Sequence, residues 1–253
     1  MKRWQAVVGM GMLAVSVAQA EPRRVLLTHE NRLPEKGELE VEGAFILQEN
    51  QDEREQFTVE DVDWRTYAVA ARYGLARDLK IGAVVPFSTW EPDEGDGEAG
   101  FNDIQIEAEL RAFEDVFGYP YILPYLRVSL PTGDEDKDLG DGDPSYTFGA
   151  AVGTTVLDDL HYALDLAYTV RGSSENVASV GGSIIWDLND RCSLVGEGKF
   201  TEKLAEEEEN SKILLGGLIY RPAPVWLVGL YGGKDMGGDP DMIAAVRVNY
   251  TFE

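Results

Sequence analysis

YILPYLRVSL (121–130), PTGDEDKDLGDGDPS (131–145) and YTFGAAVGTTV (146–156) run together, and their reading decides the fold. In the first segment Ile122, Pro124, Leu126, Val128 and Leu130 share one face, opposite Tyr121, Tyr125, Arg127 and Ser129. In the last, Tyr146, Phe148, Ala150, Val152, Thr154 and Val156 oppose Thr147, Gly149, Ala151, Gly153 and Thr155. A period of two is what a strand needs when its faces meet different media. Each segment is long enough to cross a bilayer as a tilted strand, which takes about 9–11 residues. The intervening loop carries six carboxylates. The unit reads as an outer-membrane hairpin with an acidic external loop.

The rest of the chain repeats that unit. Of its 253 residues, 46 are acidic and 22 basic, for a formal net charge of -24. Such an excess argues against nucleic acid, whose phosphates are bound through Lys and Arg. One cysteine, Cys192, rules out an internal disulfide or a cysteine metal cluster, and His29 and His161 are the only histidines. No cofactor motif is visible. Residues 1–20 pair a basic start (Lys2, Arg3) with an apolar run and end in Ala18-Gln19-Ala20, the pattern of a secretory signal peptide. Residues 21–36 then read as a polar, irregular periplasmic lead-in, and 37–253 as the barrel.

Twelve strands are expected, at 37–48, 62–73, 79–90, 101–113, 121–130, 146–156, 160–171, 177–188, 191–203, 212–221, 225–234 and 242–252. Residues 101–113 alternate most cleanly, with Ile104, Ile106, Ala108, Leu110 and Ala112 against Asp103, Gln105, Glu107, Glu109 and Arg111. A polar face like this has no place in a dry core without partners, but it can line a lumen. The phase of 212–221 and 225–234 is ambiguous, because both faces are apolar or glycine. Connections alternate between long acidic and short, as transmembrane barrels show outside and inside. Phe87, Trp90, Tyr146 and Phe200 are expected in the outer aromatic girdle, and Trp186, Tyr220, Trp226, Tyr250 and Phe252 in the inner one. A soluble periplasmic sandwich or lipocalin-like barrel would instead turn the apolar faces inward. The fold expected is all-β: a transmembrane antiparallel up-and-down barrel of about twelve strands in the bacterial outer membrane.

FNDIQIEAELRA (101–112), YLRVSLPTGDEDKDLGDG (125–142) and SYTFGAAVG (145–153) resemble the meta-pathway phenol-degradation family of outer-membrane transporters. There a strand enters a Leu-Pro-Thr-Gly turn and an acidic, glycine-rich loop, matched here by Leu130, Pro131, Thr132 and Gly133. The lead-in ENRLPEKGELEVEGAF (30–45) is also similar to the family's opening. The resemblance implies a barrel passing small aromatic or apolar molecules. The chain departs from it in ending on Glu253 rather than an aromatic residue.

Three chemistries deserve weighing. Asp134, Asp136 and Asp138 alternate like the first ligands of an EF-hand calcium loop, but Leu139 stands where its glycine belongs and Ser145 where its glutamate does. A solvated, self-repelling loop is the competing reading. The expected lumen holds Arg72, Lys80, Glu107, Glu109, Arg111, Tyr121, Tyr125, Arg127, Asp165, Arg171, Glu197 and Lys199. These line a permeation path, form cross-strand ion pairs, or both. His161 stands near Asp165 by period two but lacks a nucleophile motif, which disfavours an outer-membrane lipid-modifying enzyme. A passive porin is therefore expected, with a structural or adhesive barrel as the alternative. Expected partners are outer-membrane lipid and lipopolysaccharide, the barrel-assembly machinery and a small solute, but not nucleic acid.

Overall fold

A computed structural model describes residues 24–30, 32–51, 62–92, 97–113, 120–172, 176–203, 210–236 and 242–252. The expected signal peptide, 1–20, lies outside them. The strand segments are β1 (Leu39–Gln51), β2 (Val62–Ala76), β3 (Leu79–Pro92), β4 (Glu98–Phe101), β5 (Ile104–Leu110), β6 (Tyr121–Leu130) and β7 (Ser145–Val156). They continue as β8 (Leu160–Val170), β9 (Val177–Asn189), β10 (Cys192–Lys203), β11 (Ser211–Tyr220), β12 (Trp226–Asp235) and β13 (Met242–Phe252). All pairings are antiparallel between sequence neighbours, and β13 pairs with β1, so the sheet closes. β4 and β5 both pair with β3 and fill one position, giving a closed barrel of twelve strands.

The sequence led to one strand at 101–113, but the wall is bulged there. Phe87 pairs with Phe101 and Val84 with Gln105, so β3 has one residue fewer than its partner across that step. Pro86 sits opposite the bulge, and its carbonyl accepts from Asn102 N–H at 3.0 Å. A proline cannot donate to the ladder, so a bulge is a natural accommodation. Pro124 acts similarly: β5 and β6 pair from Ile104–Leu130 to Glu109–Tyr125 and stop one step short of it. An isolated bridge, Phe113 to Ile122, resumes contact beyond.

The alternation holds around the barrel. Tyr67, Val69, Ile81, Ile106, Leu126, Phe148, Leu164, Ile184, Leu194, Leu218, Leu230 and Val246 all face outward and exposed. The ambiguous strands fall into phase: Leu214, Leu218 and Leu230 point out, while Leu215, Ile219, Leu227 and Tyr231 point in and are buried. A continuous apolar exterior on a closed ladder suits hydrocarbon, where every backbone donor must be satisfied internally. The chain is an outer-membrane β-barrel. Tyr146, Trp186, Tyr220, Trp226 and Phe252 occupy exposed positions near strand ends, as girdle residues do. Trp90 does not: it faces inward and is only 7% exposed.

Candidate functional site

The polar faces converge on the lumen, and the lumen is occupied. Residues 24–30, expected as part of an irregular periplasmic lead-in, cross the barrel between residues midway along their strands. Glu197 of β10 accepts from three successive backbone donors, Leu26 N–H (2.6 Å), Leu27 N–H (2.8 Å) and Thr28 N–H (3.1 Å), and from the Thr28 hydroxyl (3.2 Å). Asp165 of β8 accepts from His29 N–H at 2.9 Å. Arg247 of β13 donates to the Val25 carbonyl, and the Tyr231 hydroxyl of β12 to that of Arg24. The segment closes on itself where Arg24 Nε meets Glu30 Oε2 at 3.1 Å. A buried backbone needs such partners, and here wall side chains supply them instead of a ladder.

Two kinds of wall grip it. Val25 packs against Ile185, Val195, Ile219, Leu227, Tyr231 and Ala245 in one apolar cluster. That explains the ambiguous phase of β11 and β12, whose inner face is apolar to receive the segment. Nearer the short-turn end, Leu33 joins Tyr121, Leu123, Ala151 and Ala163.

The other wall is ionic, centred on His29. Its ring stacks on Tyr125, with centroids 3.8 Å apart and planes 19° from parallel. Nδ1 lies 2.6 Å from Asp165, and Nε2 3.3 Å from Glu107 and 3.6 Å from Glu109. Behind them Lys80 Nζ reaches Glu109 at 2.7 Å, and Arg127 Nη2 reaches Glu107 at 2.6 Å. The Tyr125 hydroxyl donates to Asp165 at 2.7 Å. His29, Glu107 and Glu109 are the one group of potential metal ligands that converges among the described residues. Lys80 and Arg127 already balance its carboxylates.

Tyr125 keeps this pose because Gly149 is its cross-strand partner. A Cβ on Gly149 would come within 2.2 Å of the tyrosine ring. Gly149→Val should therefore expel Tyr125 and cost about 1–3 kcal/mol, as overpacking does. A lowered denaturation midpoint, read from heat-modifiable gel mobility, checks this; an unchanged midpoint would separate the ring from the glycine.

Further along, Arg72 binds Glu40 at 2.6 Å and Glu42 at 2.9 Å, with Arg247 adding a 3.4 Å contact to Glu42. At the short-turn end Asp187 is a junction for Arg24 (2.8 Å), His161 Nε2 (2.8 Å) and Arg221 (3.6 Å), and for the Ser193 hydroxyl. Burial, with repulsion from Arg24, lowers the pKa of Arg221, and burial, with repulsion from Arg221, brings that of Arg32 down to about 9. His161 thus pairs with Asp187 and the Thr155 hydroxyl (2.8 Å), whereas Asp165 belongs to His29 and Tyr125.

Of the residues expected in the lumen, Arg72, Lys80, Glu107, Glu109, Tyr121, Tyr125, Asp165 and Glu197 are buried against the segment or one another. Arg111, Arg127, Arg171 and Lys199 remain partly exposed. Arg111 lies toward the short-turn end, paired with Asp78 at 3.1 Å. Sequence reasoning missed His29, Glu40, Glu42, Asp187, Arg221 and Arg247. The inward phase of β1, β9 and β13 could have flagged Glu40, Glu42, Asp187 and Arg247.

At the other end, residues 131–144 fold over the mouth. Asp103, turned inward at the bulge, accepts from Thr132 N–H (3.0 Å), Gly133 N–H (2.9 Å) and Asp141 N–H (3.0 Å). Gly133 is needed where it stands, because a Cβ there would meet the Leu139 carbonyl oxygen at 2.1 Å. Asp134 and Asp138 flank a short 3-10 turn, Glu135–Lys137, that contains Asp136, and none of the three is among the converging ligand groups of the described residues.

Comparison with known protein families finds no match, and neither does comparison with curated proteins. Solved structures do match. An outer-membrane channel from Pseudomonas putida F1 shares 14% identity, with a TM-score of 0.68 over 94% of this chain and 100% of that one. The KdgM porin in complex with disordered oligogalacturonate shares 11%, with a TM-score of 0.61 over 85% and 99%. The NanC porin shares 12%, with a TM-score of 0.56 over the same shares. At these identities the likeness is one of fold.

Proposed function

We propose that this barrel is a passive outer-membrane channel for small solutes, held narrow by residues 24–30, and that it belongs to the meta-pathway phenol-degradation family it resembles. One observation carries the reading. The interior admits a polypeptide segment, bonded to the wall through polar groups. A cross-section that takes a peptide backbone takes a small molecule when the segment shifts. Similar folds among channels and porins support this. Solutes meet the partly exposed cations Arg127, Arg171 and Lys199, while Lys80, Glu109 and Arg72 brace the wall. The apolar sector around Ile219 and Leu227 offers a second, uncharged side of the path, which favours aromatic or apolar cargo.

Reconstituted protein should raise liposome permeability and give discrete conductance steps in planar bilayers. Bilayers that stay sealed at every protein load would refute transport. Replacing Arg127 with Gln should move the reversal potential under a salt gradient toward cation preference, since a fixed positive charge leaves the path. An unchanged potential would remove Arg127 from it.

A further inference from the structure

Trp64 of β2 and Trp90 of β3 are register partners on the inner face, at the long-loop end of the lumen. Their ring centroids lie 6.2 Å apart, with planes 30° from parallel. Trp90 is covered from above by Leu139, which is itself 1% exposed and is the buried apolar residue of an otherwise acidic loop. The floor under Leu139 is Gly100 of β4, where a Cβ would stand 2.7 Å from the leucine methyl. Two polar contacts join those of Asp103 in holding the loop in this pose: the Trp90 indole N–H donates to the Lys137 carbonyl (3.1 Å), and Lys137 pairs with Glu98 at 3.0 Å. The result is a socket with two indole walls and a glycine floor, filled by one branched alkyl group.

We propose that this socket is the entry subsite for a small uncharged molecule bearing a single ring or a branched alkyl group, and that Leu139 occupies it as a built-in competitor. The proposal rests on the channel reading and says where such a solute first docks. Its walls offer aromatic faces and its floor has room only for a group of about leucine's bulk. Glu98 and Asp103 bond to the loop that carries Leu139, and Asp134, Glu135, Asp136 and Asp138 stand within five residues of it along the chain, so an anion of the same shape is repelled.

Full-length protein in nanodiscs, carrying Trp4→Phe, Trp186→Phe and Trp226→Phe so that only Trp64 and Trp90 report, is titrated with benzyl alcohol and with benzoate. Benzyl alcohol should change the emission saturably, and benzoate at least fivefold more weakly. Leu139→Gly, which removes the competing side chain, should tighten benzyl alcohol binding about tenfold. Adding Gly100→Leu to that variant should abolish binding by filling the socket from below, while the barrel stays heat-modifiable. Non-saturable partition that is equal in the parent and in Leu139→Gly would overturn the proposal, as would benzoate binding as tightly as benzyl alcohol. If bilayers conduct while no saturable binding exists, the socket fails and the channel stands. Sealed bilayers with saturable, Leu139-dependent binding would leave the socket standing without the channel.

Discussion

Glu197→Ala is expected to raise single-channel conductance several-fold and to shorten closed times. One carboxylate holds Leu26, Leu27 and Thr28 through three backbone donors and a hydroxyl. Hydrogen bonds to a charged group contribute about 1.5–3 kcal/mol each. They are not additive here because they share one acceptor, yet losing that acceptor takes a partner from three backbone donors at once, one buried and two part-buried. Asp165 and Arg247 still hold the ends of the segment, so its middle should loosen first. Removing residues 21–35 altogether should open the lumen at least as far. Planar-bilayer recordings of both variants check this. If neither differs from the parent, residues 24–30 do not limit the path. If only the deletion conducts more, Glu197 is not the controlling anchor and Asp165 becomes the candidate.

Lys80→Met is expected to destabilise the barrel by about 3–5 kcal/mol, the cost typical of stranding a buried charge. Lys80 is 1% exposed and lies 2.7 Å from Glu109, also 1% exposed, and 3.7 Å from Glu107. Without the ammonium, Glu109 loses the cation 2.7 Å away and Glu107 one of its own, in a cluster that also holds Asp165. Lys80→Met with Glu109→Gln should recover most of the loss, because the pair is then removed together rather than broken. Denaturant midpoints for the single and double variants decide it. A double variant as unstable as Lys80→Met would show that the two residues do not act as a pair. Loss of His29's surroundings also predicts that the single variant conducts more than the double, since the segment is anchored through the same cluster.

The interior residues found from sequence and those missed divide along a physical line. Glu107, Glu109 and Arg127 were legible because they alternate with lipid-facing Ile106, Ala108, Leu126 and Val128, and a charge on such a face must point away from hydrocarbon. Trp90 was misplaced in the outer girdle although its own phase put it inward. An aromatic residue near a strand end looks like a girdle residue until a loop covers it, and Leu139 comes from elsewhere in the chain. His29 was unreadable as a site residue. Nothing in residues 21–36 has a period, so no face could be assigned, and its partners lie on β5 and β8, far along the sequence.

By itself, the amino-acid order determined the count of twelve wall positions, the inward and outward faces of all but the strands at 212–221 and 225–234, and which ends carry the long acidic loops. Those are local consequences of side chains alternating every two residues against two media. Only the tertiary structure decided that residues 24–30 fill the lumen, that β9 to β13 turn an apolar inner face toward Val25, and that Leu139 sits on Trp90. Each of these contacts joins segments with no shared periodicity. Complementarity of charge and shape across a closed barrel exists only once the barrel has closed.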